Sequence, residues 1–388
     1  NKDTLRRYVQ AGNRIIPGNS TIYFDKIAKQ RIYESIDTAK LDSAELIKSA
    51  YFDLKYKLGY VPKIKDFREY ASLDIVKIFD KYGSYHNFLI KIKDKDYGVS
   101  FSNTQVQMLQ FISQKLATGM RVRDLLALKY LLSTDGRIIQ SVSDELSSEY
   151  NVKLTDLGIV NLVNILTNQF SVSKNKKKFK DCIFIRKYSK DYCISEQFEE
   201  AISDLEFKSN IEELIDFGIT RYKNQYEKTL VENTPFSLYE KYNYEQVCQL
   251  LEWPKNVVAQ NMGGYKYNKE TNTYPVFINY HKADDIQESI RYEDSFINPF
   301  ILKAISKAPR YLRSKDVKRI LRANELDIAM HLFVRKNKLD KSFYYLGPIR
   351  PKDPKYAKEI IMLSGKPAVA LEYQLEVPVR DDIYDYII

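Results

Sequence analysis

The feature that most constrains the fold is a change in hydrophobic periodicity near Ala259. Upstream, apolar residues recur at helical spacing, and Ser43–Leu58 is the clearest amphipathic case. Downstream, short β-type runs alternate with turns. The predicted strands are Thr273–Tyr280, Ile328–Arg335, Lys341–Gly347 and Ala368–Val379. The pattern predicts a multidomain chain with a connector over residues 1–40, a mainly α-helical region over 41–255 and an α+β domain over 256–388.

Within the helical region, residues 141–194 are predicted to form two helices followed by a hairpin. This order is typical of a winged helix, and the predicted hairpin Phe170–Ile194 carries Lys174–Lys180 at its tip. The four lysines Lys174, Lys176, Lys177 and Lys178 are therefore candidates for a wing that touches phosphate. A solvated loop without DNA contact is the alternative interpretation.

A second short pattern lies near the start of the helical region. Residues Leu58-Gly59-Tyr60-Val61-Pro62 and the later run Lys81–Phe88 resemble the helix-turn-helix repeats attached to some homing endonucleases. The resemblance implies a small DNA-contacting helical unit. A three-helix packing unit with no DNA contact explains the same residues equally well.

Composition restricts the class of partner and the compartment. The net charge is +10 with 29% charged and 44% hydrophobic residues, which favours a polyanionic partner. No apolar run approaches the roughly 18 residues of a membrane span, so no membrane partner is predicted. The three cysteines show no CxxC spacing, which fits a reducing cytoplasm. The start at Asn1 and not at Met suggests a segment of a larger protein.

Catalytic signatures are missing from the sequence. The only Gly-Lys pair, Gly365-Lys366, lacks the remaining residues of a phosphate-binding loop. The three histidines (His86, His281 and His331) are far apart, and no Cys/His cluster could hold a metal. We therefore predict no catalytic residue, metal or cofactor in this segment. A nuclease site built from scattered carboxylates and lysines is the alternative, and it would require metal-dependent cleavage.

The strongest charge concentration is Lys303–Arg322, which we call the basic segment. It contains eight Lys or Arg residues against a single acid, Asp316. Ser314 is predicted to cap a helix over Lys315–Ala323, whose free N–H groups would add anion affinity. The alternative is a solvated helix face. The predicted phosphate-binding residues are Lys303, Lys307, Arg310, Arg313, Ser314, Lys315, Lys318 and Arg319.

Aromatic residues and a carboxylate flank the basic segment on both sides. If they converge, rings could sandwich an extruded base while Asp294 accepts from the amino group of cytosine. The candidates for this base pocket are Tyr280, His281, Tyr292, Asp294, Tyr344 and Tyr345. Taken singly, one of Tyr344 or Tyr345 is as readily explained as core.

An ordered set of short motifs runs through residues 256–388. It comprises Gln260–Tyr267, Phe277–Lys282, Tyr292–Phe296, Ser314–Val317 and Phe343–Gly347. This set resembles the C-terminal domain of bacterial fusions of a phospholipase-D-type nuclease with a helicase, and within them the Type IV restriction enzymes that attack DNA carrying modified cytosine.

The resemblance implies that residues 41–255 are a helical coupler and that residues 256–388 are an SRA-like or PUA-like β-barrel that flips its target base. It also implies an ATP- and Mg-dependent helicase and a nuclease upstream in the same chain. Gln260, Asn261, Met262 and Tyr265 would form a loop that enters a DNA groove. A glycine turn between two strands is the alternative role of this loop.

Two functions follow as expectations. In the first, the segment recognises 5-methylcytosine or 5-hydroxymethylcytosine in duplex DNA, is itself not an enzyme, and couples recognition to the upstream motor. In the second, it is a coupler and protein-interaction platform that binds DNA without reading the modification, with steep salt dependence and no preference.

Overall fold

The computed structural model describes residues 43–71, 73–133, 137–280, 294–337, 339–362 and 364–388. These residues form two compact units that divide after Val99. The predicted connector, residues 1–40, lies outside the described residues. A helical part followed by an α+β part was predicted, and this order is confirmed.

The first unit is entirely helical in its described residues. Its helices are α1 (Ser43–Leu58), α2 (Ile64–Tyr70), α3 (Val76–Tyr82) and α4 (Tyr85–Ile92). Gly83, at φ +89°, ends α3, and the Ser84 hydroxyl caps α4 by accepting from the Asn87 N–H. The Asp94 carboxylate accepts from the Tyr51 hydroxyl and the Lys55 amine, each at 2.5 Å, which fixes the segment after α4 against α1.

The second unit begins with a helical region, residues 100–226. Its elements are α5 (Asn103–Phe111), α6 (Val122–Ser133), α7 (Ile138–Glu149), α8 (Asp156–Leu166), α9 (Ser173–Lys178), β1 (Ile185–Tyr188), β2 (Asp191–Ile194), α10 (Glu196–Ile202) and α11 (Leu205–Arg221). Wider π-type turns extend α5 over Ile112–Leu116 and α11 over Tyr222–Tyr226.

The predicted position of the wing lysines is wrong. Lys174 and its neighbours lie in the short helix α9, and the hairpin β1–β2 turns later, at Ser189 and Lys190. The Asn168 side chain donates to the carbonyls of Lys176 and Phe179 at 3.1 and 2.7 Å. These bonds, together with the burial of Phe179, hold the segment in a helical turn and not in a strand.

The remainder of the second unit is the sheet domain, residues 236–388. Its elements are β3 (Lys241–Tyr242), α12 (Tyr244–Leu250), α13 (Ala259–Met262), β4 (Thr273–Asn279), β5 (Ser295–Asn298), β6 (Ile301–Ile305), α14 (Lys315–Leu321), β7 (Ala329–Arg335), β8 (Phe343–Pro351), β9 (Lys358–Ile361), β10 (Pro367–Leu375) and α15 (Asp381–Ile387). The four predicted strands correspond to β4, β7, β8 and β10, so this prediction is confirmed.

The strands form one eight-stranded mixed sheet. The order is β4-β7-β8-β10-β6-β5, with β3 paired to β8 and β9 paired to β10. Strands β4 and β7 are parallel, and the other pairs are antiparallel. The nine-residue strands β8 and β10 meet only over Ile349–Pro351 and Tyr373–Leu375, so the two halves of the sheet are joined at one corner and can curl toward each other.

The sheet domain begins before the predicted boundary at residue 256. Strand β3 pairs with β8, and the Phe236 ring packs against those of Phe333 and Tyr345 at 5.2 and 4.9 Å. The aromatic core of the sheet therefore includes a residue that the sequence pattern placed in the helical region.

Buried polar side chains join the helical region to the sheet domain. Asn161 on α8 accepts from the guanidinium groups of Arg121 and Arg123 and donates to the Trp253 carbonyl. The Trp253 indole N–H in turn donates to the Thr273 hydroxyl at the start of β4, at 2.8 Å. The segment after α12 is thus bonded on one side to helices and on the other to the sheet.

Across the described residues, every helix is too short or too polar to cross a membrane. Within the same residues, no group of three or more His, Cys, Asp or Glu side chains is placed to hold a metal ion.

Candidate nucleic-acid interface

A cavity of about 250 Å³ lies between the two halves of the curled sheet. Strand β4 lines one wall, and β6 and β10 line the other, so strands from both ends of the sheet order share it. The ring-bearing and polar residues of the lining include Tyr265, Phe277, Asp294, Ser306, Lys307 and Tyr373. An apolar cavity of about 150 Å³ accommodates benzene, so the size here suffices for a single six-membered base.

The loop at the cavity edge depends on two glycines. Gly263 and Gly264 adopt φ values of +51° and +88°, which glycine alone adopts at little cost. The Gly264 carbonyl accepts from the Phe277 N–H at 2.6 Å, which ties the loop to β4. A Cβ on Gly263 would lie only 3.0 Å from Cε of Lys307, so this glycine also leaves room for the lysine.

Lys307 is bound into the cavity edge. Its ammonium donates to the carbonyls of Met262 and Tyr265 at 3.1 and 2.9 Å and lies 4.6 Å from the Tyr265 ring centroid. Burial lowers the pKa of Lys307, and repulsion from Arg310 lowers it further. Burial raises the pKa of Tyr265 to about 12, so its hydroxyl stays protonated at neutral pH.

Of the predicted base-pocket residues, Asp294 lines the cavity. One of its oxygens accepts from the Ile305 N–H at 2.8 Å, which holds the carboxylate at the β6 side. The Tyr280 ring follows directly after β4 and stacks on Phe296 at 5.9 Å. His281 and Tyr292 lie outside the described residues.

The other two predicted pocket tyrosines lie elsewhere in the sheet domain. Tyr345 is fully buried in the aromatic core, where its hydroxyl is 3.1 Å from Nδ1 of His331. Tyr344 packs edge-on against Tyr386 and carries the Lys241 amine 4.4 Å from its ring centroid. Successive residues of a strand face opposite sides, and neither tyrosine belongs to the cavity lining.

The predicted groove-entering loop is divided between surface and core. Gln260 and Asn261 are exposed on α13, whereas Met262 is completely buried and Tyr265 is 7% exposed. The Tyr265 hydroxyl also accepts from the Lys307 N–H at 3.0 Å. A side chain that enters a groove without rearrangement of this loop would therefore be Gln260 or Asn261.

The basic segment is a strand, a loop and a short helix, and not one helix. Lys303 lies on β6, where the alternation of buried Leu302 and Ala304 leaves it exposed. Helix α14 covers only Lys315–Leu321. The predicted side-chain cap is wrong, because the Ser314 hydroxyl accepts from the Tyr311 N–H upstream of the helix.

The predicted phosphate-binding cations fall into two groups. Arg310 is paired with Asp316 at 2.5 Å, which raises the pKa of Arg310, and Arg319 lies 4.3 Å from the Tyr267 ring centroid. Together with Lys307, these side chains are engaged inside the domain. The exposed ones are Lys303, Arg313, Lys315 and Lys318.

Several cavity residues were not predicted from the sequence. Tyr373 on β10 and Ser306 after β6 both line the cavity, and burial raises the pKa of Tyr373 strongly. The Ser306 hydroxyl accepts from the Val369 N–H at 2.9 Å, which joins the end of β6 to β10. Both residues lie on or directly after strands whose pairing depends on long-range contacts, so no local signal identifies them.

Two family models match the chain. Residues 236–387 match a domain of unknown function (DUF3427), and residues 47–226 match a second domain of unknown function (DUF8090). The first match begins at Phe236, the residue whose ring enters the core of the sheet. A comparison with curated proteins found no match.

Proposed function

We propose that this chain binds duplex DNA and takes 5-methylcytosine or 5-hydroxymethylcytosine into the cavity of the sheet domain. The proposal includes an SRA-like or PUA-like barrel arrangement for this domain and a coupling role for the helical region. Cleavage and ATP hydrolysis are assigned to a nuclease and a Mg-dependent helicase upstream, so this segment itself performs no catalysis.

The observation that carries the proposal is the cavity beside the basic segment. Its volume of about 250 Å³ suits a flat ring with one small substituent. The carboxylate of Asp294 lies at the same cavity, and cytosine presents an amino donor to such an acceptor. Proteins that extrude a base recognise it by ring stacking and by hydrogen bonds to its edge. In this proposal Asp294 supplies the hydrogen bond to the edge.

A backbone contact orients Asp294 for this role. The Ile305 N–H donates to one of its carboxylate oxygens at 2.8 Å. Because that bond fixes the orientation of the carboxylate before a base arrives, little rotamer entropy would be lost on binding.

The exposed cations of the basic segment supply the affinity in this proposal. Lys303, Arg313, Lys315 and Lys318 are accessible to phosphates, and each phosphate contact releases counterions. These contacts are indifferent to sequence. Discrimination comes from the cavity, where burial of the extra methyl group contributes on the order of 1 kcal/mol, or roughly fivefold in affinity.

The Asp294→Asn variant tests the proposal. We expect it to lose most of the preference for modified over unmodified duplexes while its affinity for unmodified DNA stays within about twofold. Asp327→Asn is the matched control, since it removes an exposed carboxylate next to Asn272, at the opposite end of β4. Asparagine also tolerates the φ of +49° at that position.

The alternative function predicts a different pattern. A coupler that binds DNA without base readout would show no modification preference in the wild-type protein, and both variants would then bind alike. Equal affinity of the wild-type protein for modified and unmodified duplexes, at one fixed salt concentration, would refute the proposal.

A further inference from the structure

The short helix α9 carries the densest cluster of positive charge in the helical region. Lys174, Lys176, Lys177, Lys178 and Lys180 occupy five of seven consecutive positions. All five are exposed. We call this set the α9 lysine cluster.

The backbone beneath the cluster is fixed. Asn168 donates to two carbonyls of this turn, and the Asn175 amide donates to Glu245 on α12 at 3.2 Å. The lysines thus extend from a surface that is ordered before a ligand arrives. Binding of a polyanion would therefore cost little backbone ordering entropy.

The carboxylate beside the cluster is already engaged. Glu245 accepts from the Lys115 amine at 2.5 Å as well as from Asn175. Partial burial lowers the pKa of Lys178, and repulsion from the Lys115 cation lowers it further. An excess of positive charge at this surface is the physical reason for that repulsion, and phosphate groups would relieve it.

The helix that contacts α9 also packs against the cavity strand β4. Glu245 on α12, which accepts from Asn175 on α9, is adjacent in sequence to Tyr244. The Tyr244 ring packs on Phe277, with centroids 4.5 Å apart, and Phe277 lines the cavity. Lys266 adds a positive charge near the cavity edge, where it contributes the smallest of the effects that lower the pKa of Lys307, after burial and Arg310.

We infer that the α9 lysine cluster is a second phosphate-binding surface, on the helical region, which contacts the backbone of the same duplex whose modified base enters the cavity. This inference rests on the proposed function for its ligand, duplex DNA. It assigns to the helical region a direct role in DNA binding, beyond coupling. The contacts are electrostatic and independent of base identity.

The test compares two triple variants of the whole chain. Lys174→Gln, Lys176→Gln and Lys177→Gln together remove three charges from the cluster. The matched control combines Lys153→Gln, Lys187→Gln and Lys190→Gln, which removes three exposed lysines from elsewhere in the helical region. Binding of a fluorescein-labelled duplex, long enough to span cavity and cluster, is measured by anisotropy over a range of salt concentrations.

We expect the cluster variant to bind more weakly and to show a smaller slope of log K against log salt. Each lost phosphate contact reduces the slope by about 0.9, so three contacts reduce it by about 2.7. The ratio of affinities for modified and unmodified duplexes should remain that of the wild-type protein, because the cavity is untouched. The control variant should retain the wild-type slope within about half a unit.

Two results would overturn the inference. In the first, the cluster variant keeps the wild-type slope; in the second, the control variant loses as much slope as the cluster variant, which indicates a general charge effect. Failure of the proposed function has a separate signature, since a wild-type affinity ratio of one leaves the slope comparison intact.

Discussion

Acidification is expected to destabilise the sheet domain through His331. This side chain is 4% exposed on β7, with its ring 5.3 Å from that of Phe236 and Nδ1 facing the Tyr345 hydroxyl. Burial lowers the pKa of His331 to about 4, against 6.5 for an exposed histidine. The folded state therefore holds the neutral imidazole, and the unfolded chain binds the proton first.

The sign and size of the effect follow from proton linkage. Above about pH 6.5 neither state is protonated and the stability is fully present, whereas between about pH 6.5 and 4 the unfolded state binds more protons and stability is lost as the pH falls. The two pKa values give a loss of about 2 kcal/mol between about pH 7.5 and pH 5.

The measurement uses the single tryptophan. Trp253 is 1% exposed and bonded to β4, so its fluorescence reports unfolding of the unit that contains His331. Guanidinium titrations at about pH 7.5 and pH 5 should show this loss in the free energy of unfolding of the wild-type protein. The His331→Gln variant keeps a partner for Tyr345 but does not titrate, so its loss of unfolding free energy between the two pH values should be smaller by about 2 kcal/mol. An unchanged pH dependence in this variant would refute the assignment to His331.

Two further predictions concern the core. Asn161→Ala removes one of the acceptors of Arg121 and of Arg123, which keep Asp124 and Glu252, and it removes the donor to the Trp253 carbonyl. For three lost bonds we expect a loss of roughly 3 kcal/mol in the free energy of unfolding, measured by the same fluorescence. A loss under about 1 kcal/mol would contradict this network. Burial raises the pKa of Cys182 and Cys248 to about 12, while Cys193 is half-buried. Iodoacetamide near neutral pH should therefore alkylate Cys193 first, as read by peptide mass spectrometry, and faster reaction of either buried thiol would show that the interior opens.

Local sequence patterns predict the elements well wherever neighbouring residues decide them. The strand β4 was identified from its own apolar run, and α1 from its helical periodicity. The lysines of α9 were misplaced because Asn168 and buried Phe179, which hold the turn, act through tertiary contacts. Propensity carries no information about such contacts.

The candidate site was only partly predictable for the same reason. Asp294 was identified from its chemistry, and it does line the cavity. Tyr345 has equally suitable chemistry but lies in the core, and only the register of β7 with β8 decides this. The parallel pairing of β4 with β7 brings together segments more than fifty residues apart in sequence, and no local pattern encodes that pairing.

The strength of the basic segment as a phosphate site was also overestimated from sequence. Charge counting treats every cation as available, yet Arg310 and Lys307 are engaged by Asp316 and by backbone carbonyls. These pairings require a folded loop, so the sequence predicted the location of the charge but not how much of it faces solvent.

The most direct test of the account is the affinity ratio of the wild-type chain for duplexes that differ at one cytosine. Matched duplexes with cytosine, 5-methylcytosine or 5-hydroxymethylcytosine are titrated at one salt concentration. The account predicts tighter binding of both modified duplexes, by about fivefold for the methyl group. Equal affinity for the three duplexes would contradict base readout in the cavity.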